Sequence, residues 1–200
     1  NDIINLNNNV KIEVDNRLLK LFKRSFGSKN NFVSENKLSQ NKKSLKKIDR
    51  LIFAGSLGRI FRNQKNDFPK NNQYLFPDKQ IVKTIKSRLN TINKKPKIGI
   101  SWISKNKKFG KGKSMDLISL LPILNKKKAS FVNLQYGDTS EEIDNFNNET
   151  GINIIDLKDI DKFNDFESLA ALLESLDLLI TVSNTTAHLA GAIGKETWVM

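Results

Sequence analysis

Apolar residues in this chain fall into short runs, and after residue 96 those runs alternate with amphipathic stretches. The run at 178–182 (Leu-Leu-Ile-Thr-Val) is rich in β-formers and predicts a strand buried on both faces. Ser183 to Thr186 then supply four small polar side chains suited to a turn and a helix N-cap. Residues 187–193 predict a helix, Gly194 stands where a glycine cap belongs, and 197–200 predict another strand. Upstream, 97–102, 130–136 and 152–157 predict three more strands, five in all. Helices are predicted within 115–127, where Pro122 limits the first turn, and over 139–148. The helix at 165–176 has the clearest pattern, with Phe166, Leu169, Leu172, Leu173 and Leu176 on one face. Asn164 and Glu167 before it have capping-box spacing. Strands alternating with helices predict an α/β fold, a parallel sheet with right-handed crossovers.

The first part of the chain is less regular. Residues 10–14 suit a strand, and Asp15 can cap a helix whose apolar face is Leu18, Leu19, Phe22 and Phe26, ended by Gly27. Residues 30–41 predict a loop and 42–50 a solvated charged segment. Residues 51–54 form a second compact apolar run, predicting a strand that gives way to a glycine-rich turn at 55–58 and a short basic helix at 59–62. Residues 67–77, with Pro69 and Pro77, predict an irregular crossing segment. Asp78 can cap a helix to residue 93 with Ile81, Ile85, Leu89 and Ile92 on one face. Pro96 discourages helix at the residue before it, which places the domain boundary at 94–96: one domain over 1–95, another over 96–200. No internal repeat is visible.

Composition narrows the chemistry. Two hundred residues, 38% hydrophobic, suffice for one sizeable core or two small ones. No apolar run is long enough for a membrane span and no signal peptide opens the sequence, so the cytoplasm is the expected compartment. Zero cysteines exclude disulfides and thiolate metal sites, and a lone histidine argues against zinc. The chain opens on Asn1 and stops inside an apolar run at Met200, as a fragment of a longer protein would. The net charge of +13 is uneven: residues 1–128 carry 31 Lys+Arg against 8 Asp+Glu, residues 129–200 carry 3 against 13. A basic surface can attract nucleic acid, anionic lipid or nucleotide-sugar by its long-range field. The abundance of Lys, Asn and Ile fits AT-rich coding, and no nucleic-acid module accompanies the lysines, so no specific nucleic-acid partner is expected.

Three predicted loops follow strand ends and should meet at one edge of the sheet, where ligands of such folds bind. The first, 101–114, ends Gly112-Lys113-Ser114, but Lys107 stands where a phosphate-binding loop needs its first glycine. The second holds Gln135, Tyr136, Gly137 and Asp138: Tyr136 can stack on a nucleobase while Gln135 or nearby backbone reads its edge, or the tyrosine belongs to the core or rim. The third carries three hydroxyls and leads to His188, either a phosphate contact or a packed core residue.

The segment 184–195 (Asn-Thr-Thr-Ala-His-Leu-Ala-Gly-Ala-Ile-Gly-Lys) resembles the donor site of GT-B glycosyltransferases. It is most similar to heptosyltransferases and to the glycosyltransferase-like domains of bacterial tetratricopeptide-repeat proteins. In heptosyltransferases this place reads Asp-Thr-Gly, two residues, then His-Leu. Ser183, Asn184 and Thr185 fall on the Asp-Thr-Gly positions and His188 on the histidine, so the acid and the glycine are both replaced. The runs 131–137 and 55–62 match the repeat-fused group, and the resemblance extends over about 45–200. It implies a GT-B-type fold: a partial amino-terminal Rossmann-like acceptor domain and a Rossmann-like donor domain truncated at its carboxyl end. It implies sugar transfer, hexosyl or heptosyl, from a nucleotide-diphosphate donor to a protein, lipid or glycan hydroxyl. Transfer would be inverting, with no metal and no cofactor beyond the nucleotide-sugar substrate. The donor-binding residues so implied are Ser101, Lys113, Ser114, Gln135, Tyr136, Gly137, Ser183, Asn184, Thr185, Thr186 and His188, with Lys113 neutralising the diphosphate unless it is simply a solvated surface lysine. Arg59 would point into an interdomain cleft or lie on the surface. No catalytic base is assigned; in the related enzymes it comes from the amino-terminal domain, much of which is missing, so the fragment alone should be inactive. A non-catalytic scaffold or nucleotide-binding domain of a repeat protein is the alternative.

Overall fold

The computed structural model describes residues 3, 9–27, 31–35, 48–70, 73–105, 108, 110–126 and 128–200. The chain divides into two compact units, Asn1–Phe76 and Pro77–Met200.

In the first unit, β1 (Lys11–Val14) pairs in parallel with β2 (Asn31–Ser34), Ile12 opposite Phe32. Between them runs α1 (Leu19–Phe26), entered through a 3-10 turn that Asp15 caps by accepting the Arg17 N–H at 2.9 Å. Gly27 closes α1 at φ +83°, a left-handed conformation that suits glycine. Leu21 is its fully buried residue; Leu18, Leu19, Phe22 and Phe26 of the expected face are half-buried, and Phe22 and Phe26 form with Phe32 an aromatic triad at 5.5–5.8 Å. Strand β2 lies within the stretch expected as loop. Its register with β1 is a long-range pairing that local polarity does not reveal. The remainder of the loop and charged segment expected over 30–50 falls mostly outside the described residues.

The expected strand at 51–54 is absent. Leu51 and Phe53 are 73% and 78% exposed, and helix α2 (Ala54–Phe61) begins where the glycine-rich turn was expected. Among the described residues no strand pairs with 51–53, so their apolar character finds no sheet there to enter. Arg59 is exposed on α2.

The second unit begins with α3 (Lys79–Ile92), capped by Asp78 through the Gln80 and Ile81 N–H groups and buried at Ile85 and Leu89. Because α3 packs on α6 (Phe166–Glu174), the compact units part at Phe76/Pro77 and not at 94–96. Four strands follow: β3 (Lys97–Ser101), β4 (Ser130–Asn133), β5 (Leu178–Thr181) and β6 (Thr197–Val199). They form one parallel sheet in the order β4-β3-β5-β6, with Ile100 opposite both Asn133 and Ile180. The run 152–157, expected as a fifth strand, makes a single parallel bridge from Ile155 to Val132. Between β3 and β4, 3-10 turns and the single turn α4 (Leu121–Leu124) replace the expected helix, with Pro122 in the first turn. Helix α5 (Ser140–Thr150) follows β4 and α7 (Thr185–Ala192) follows β5. Asp165, not Asn164, caps α6, accepting from the Ser168 N–H at 3.0 Å.

Strand alternation sorts the core. Ile100 and Phe131 point into a cluster with Trp102, Leu117, Leu120, Leu124, Ile143 and Phe146. On the opposite face Gly99 lies so close to Leu134 and Leu176 that a Cβ would stand 2.5 Å and 2.6 Å from their methyls. Strand β3 connects outward to β4, whereas β5 connects the other way to β6. The topological switch therefore falls between the carboxyl ends of β3 and β5, where open α/β sheets leave a crevice.

Candidate functional site

Buried side chains tie the three strand ends together below the surface. Ser101 Oγ, at the end of β3, donates to Gln135 Oε1 at 3.1 Å and accepts from Asn184 Nδ2 at 2.8 Å. Gln135 Oε1 also accepts the Trp102 and Ile103 N–H groups at 3.0 and 2.8 Å. Asn184 Oδ1 caps α7 by accepting from the Ala187 N–H at 3.2 Å. The belt Asn184–Ser101–Gln135 links β5, β3 and the end of β4, satisfying polar groups that burial would otherwise penalise. Gln135 is 1% exposed and its oxygen accepts three bonds, so that oxygen is committed to the fold, although the residue also lines the cavity at the end of β4. Ser101, Asn184 and Thr186 are likewise buried. Ser114 braces the first loop, its hydroxyl accepting from the Ser104 N–H at 2.9 Å and donating to the Gly110 carbonyl at 2.7 Å.

Above the belt, at the switch between β3 and β5, Lys113 Nζ donates to Ser183 Oγ at 3.4 Å. The first and third loops thus meet, bringing an ammonium to the residue before the α7 cap. Thr185 and His188 are exposed three residues apart, on one face of α7. His188 is therefore not a packed core residue. Thr185 opens α7 as an ordinary helical residue, so glycine is not required there.

The second loop leads elsewhere. At the end of β4 a cavity of about 490 Å³ has Gln135, Tyr136, Gly137, Lys105, Asn133 and Phe163 in its lining, together with residues of the 156–162 segment. Lys113, Ser183, Thr185 and His188 are not among its lining residues, so the expected single site resolves into a part around Lys113 and Ser183 and an aromatic part. Tyr136 and Phe163 rings lie 6.0 Å apart at 41°. At the cavity wall Lys162 Nζ pairs with Asp156 Oδ1 at 2.8 Å, and Asn133 Nδ2 donates to the same oxygen at 3.2 Å. Asp161 turns onto its own loop, accepting from the Asn164 side chain at 2.8 Å and from the Phe163 and Asn164 N–H groups. These bonds, the Asn164 side chain foremost, hold its carboxyl below the usual Asp range. The wall is tethered to α3 by a bidentate Arg88–Asp159 pair at 2.7 and 2.8 Å, which likewise lowers the Asp159 pKa. Lys105 and the 156–163 wall escaped sequence reasoning. The one signal available was Asp161 and Asn164 framing an aromatic residue in a turn.

Among the described residues no group of His, Asp and Glu side chains could hold a metal ion, and no helix is long and apolar enough to cross a membrane.

No family model matches the chain. It is similar to Protein FlbA of Caulobacter vibrioides (strain ATCC 19089 / CIP 103742 / CB 15), 30% identical over 200 residues that cover 96% of this chain and 34% of that protein. The chain thus spans about one third of that relative's length. Among solved structures it is similar to E. coli ADP-heptose LPS heptosyltransferase II, with a TM-score of 0.51 and 14% identity over 70% of this chain and 43% of that one. The likeness shows a shared fold, an α/β architecture with parallel strands like that of a GT-B glycosyltransferase.

Proposed function

We propose that the Pro77–Met200 unit binds a nucleotide-diphosphate sugar and that the complete protein transfers the sugar to a hydroxyl of a protein, lipid or glycan acceptor. The observation that carries this reading is the Lys113–Ser183 contact across the switch, beside the start of α7 and its exposed His188. An ammonium, a helix N-terminus and an imidazole together suit a diphosphate. The base goes to the cavity, against Tyr136 and Phe163, with backbone rather than Gln135 reading its edge. In the reaction the acceptor oxygen loses its proton to a base and bonds to the anomeric carbon, with inversion. The sugar's bond to the diphosphate breaks, and Lys113, His188 and the α7 amides stabilise the departing charge.

A non-catalytic domain that keeps the fold is the second reading, favoured by Ser183 and Thr185 where heptosyltransferases carry an acid and a glycine. Calorimetry on the complete protein with uridine, guanosine and adenosine diphosphates tests the first. At least one should bind, and Tyr136→Ala and Lys113→Ala should each weaken it. Absence of binding by all three leaves the non-catalytic reading.

A further inference from the structure

Lys105 is paired with no carboxylate among the described residues, and its ammonium lies over an aromatic ring of the cavity. Its Nζ stands 5.8 Å from the Tyr136 ring centroid, while its backbone N–H donates to the Tyr136 hydroxyl at 2.8 Å. Gly137 makes room for this arrangement, since a Cβ there would fall against Lys105 Nζ. One residue thus holds the tyrosine by its hydroxyl and covers its ring. The acids of the same cavity are engaged elsewhere: Asp156 by Lys162, Asp161 by its own turn, Asp138 by the Ser140 N–H at 3.0 Å. A cation over a half-buried ring at the cavity edge is held more weakly than an ammonium bonded to a phosphate oxygen. The ring likewise gains more from a stacked base than from a partly hydrated ammonium. Both partners of the Lys105–Tyr136 contact therefore improve their position if a nucleotide comes between them.

We propose that Lys105 is a specificity-determining residue that makes this site select nucleotides bearing a 5′-phosphate over bare nucleosides. The base takes the Tyr136 face, and the displaced ammonium takes the phosphate nearest the base. This rests on the reading of the cavity as the base subsite. A bare nucleoside must displace the same ammonium and offers it nothing in return.

The test is calorimetry on the complete protein with a nucleoside, its monophosphate and its diphosphate, using whichever base binds. Wild type is compared with Lys105→Met, Lys105→Arg and Lys113→Ala. Lys105→Met should weaken the mono- and diphosphate about tenfold while leaving the nucleoside unchanged or slightly tighter. Lys105→Arg should retain the preference, and Lys113→Ala should weaken the diphosphate alone. Because the Lys105 side chain is exposed, the melting temperature should not move. A monophosphate-to-nucleoside affinity ratio unchanged in Lys105→Met overturns the assignment and leaves nucleotide binding standing. Failure of every diphosphate to bind wild type overturns the nucleotide reading and the Lys105 assignment with it.

Discussion

Residues 51–58 and 178–186 carry nearly the same local message: a compact apolar run, then a turn of small residues. Only the second becomes strand, turn and helix. Ile180 is paired on one side with Ile100 and on the other with Trp198, and β5 is buried along most of its length. Leu51, Ile52 and Phe53 have no partner strand among the described residues and stay exposed, and the helix after them starts without a side-chain cap. A short apolar run becomes a strand when neighbours complete its hydrogen bonds; composition alone does not decide it.

The largest effect that should separate the two runs is a core truncation. Leu179→Ala removes a fully buried side chain from β5 and should cost about 2–5 kcal/mol in denaturant unfolding. Leu51→Ala should change stability by no more than about 0.5 kcal/mol. Equal losses would mean that residues 51–53 are buried in solution.

The caps give the next contrast. Asn184→Ala removes the cap on the Ala187 N–H and one of the two bonds of buried Ser101 Oγ, and should cost about 1–3 kcal/mol. Phe53→Asp supplies α2 with the cap it lacks and should stabilise that helix by roughly 0.5–1 kcal/mol, read from helicity and melting.

How much was legible in the sequence follows the same division. The 3.6-residue periodicity of α3 and α6, the Asp78 cap and the consecutive apolar residues of β3, β4 and β5 are local signals, and each gives the right element. β2 and the residues at 152–157 depend on remote partners: Phe32 and Val33 find β1, while only Ile155 reaches β4. The site divides similarly. The Lys113, Ser183 and His188 neighbourhood follows from topology, because loops after β3 and β5 must flank the switch. Whether a polar residue at a strand end faces ligand or fold does not, and Gln135 shows why. Its position next to Tyr136 suits either role, and only the facing N–H groups of Trp102 and Ile103 decide it.

A smaller effect concerns the tether of the cavity wall. Arg88 holds the Asp159 pKa below its unfolded value, so the pair's contribution is present above the ordinary Asp pKa of about 3.9 and is lost as pH falls through the lower folded value. Both side chains are well exposed, so Asp159→Asn should cost less than about 1 kcal/mol near neutrality and flatten the acid limb of the stability profile. An unchanged acid limb would show that the pair does not persist in solution.

Calorimetry of His188→Ala in the complete protein tests the nucleotide site most directly. A charge-assisted bond from the imidazole to a diphosphate, about 1.5–3 kcal/mol, predicts that diphosphate affinity falls by roughly one to two decades. Bare nucleoside affinity should stay nearly unchanged, because the base subsite proposed above is at Tyr136 and Phe163. A mutant that binds diphosphate as tightly as wild type would contradict the placement of a diphosphate at the start of α7.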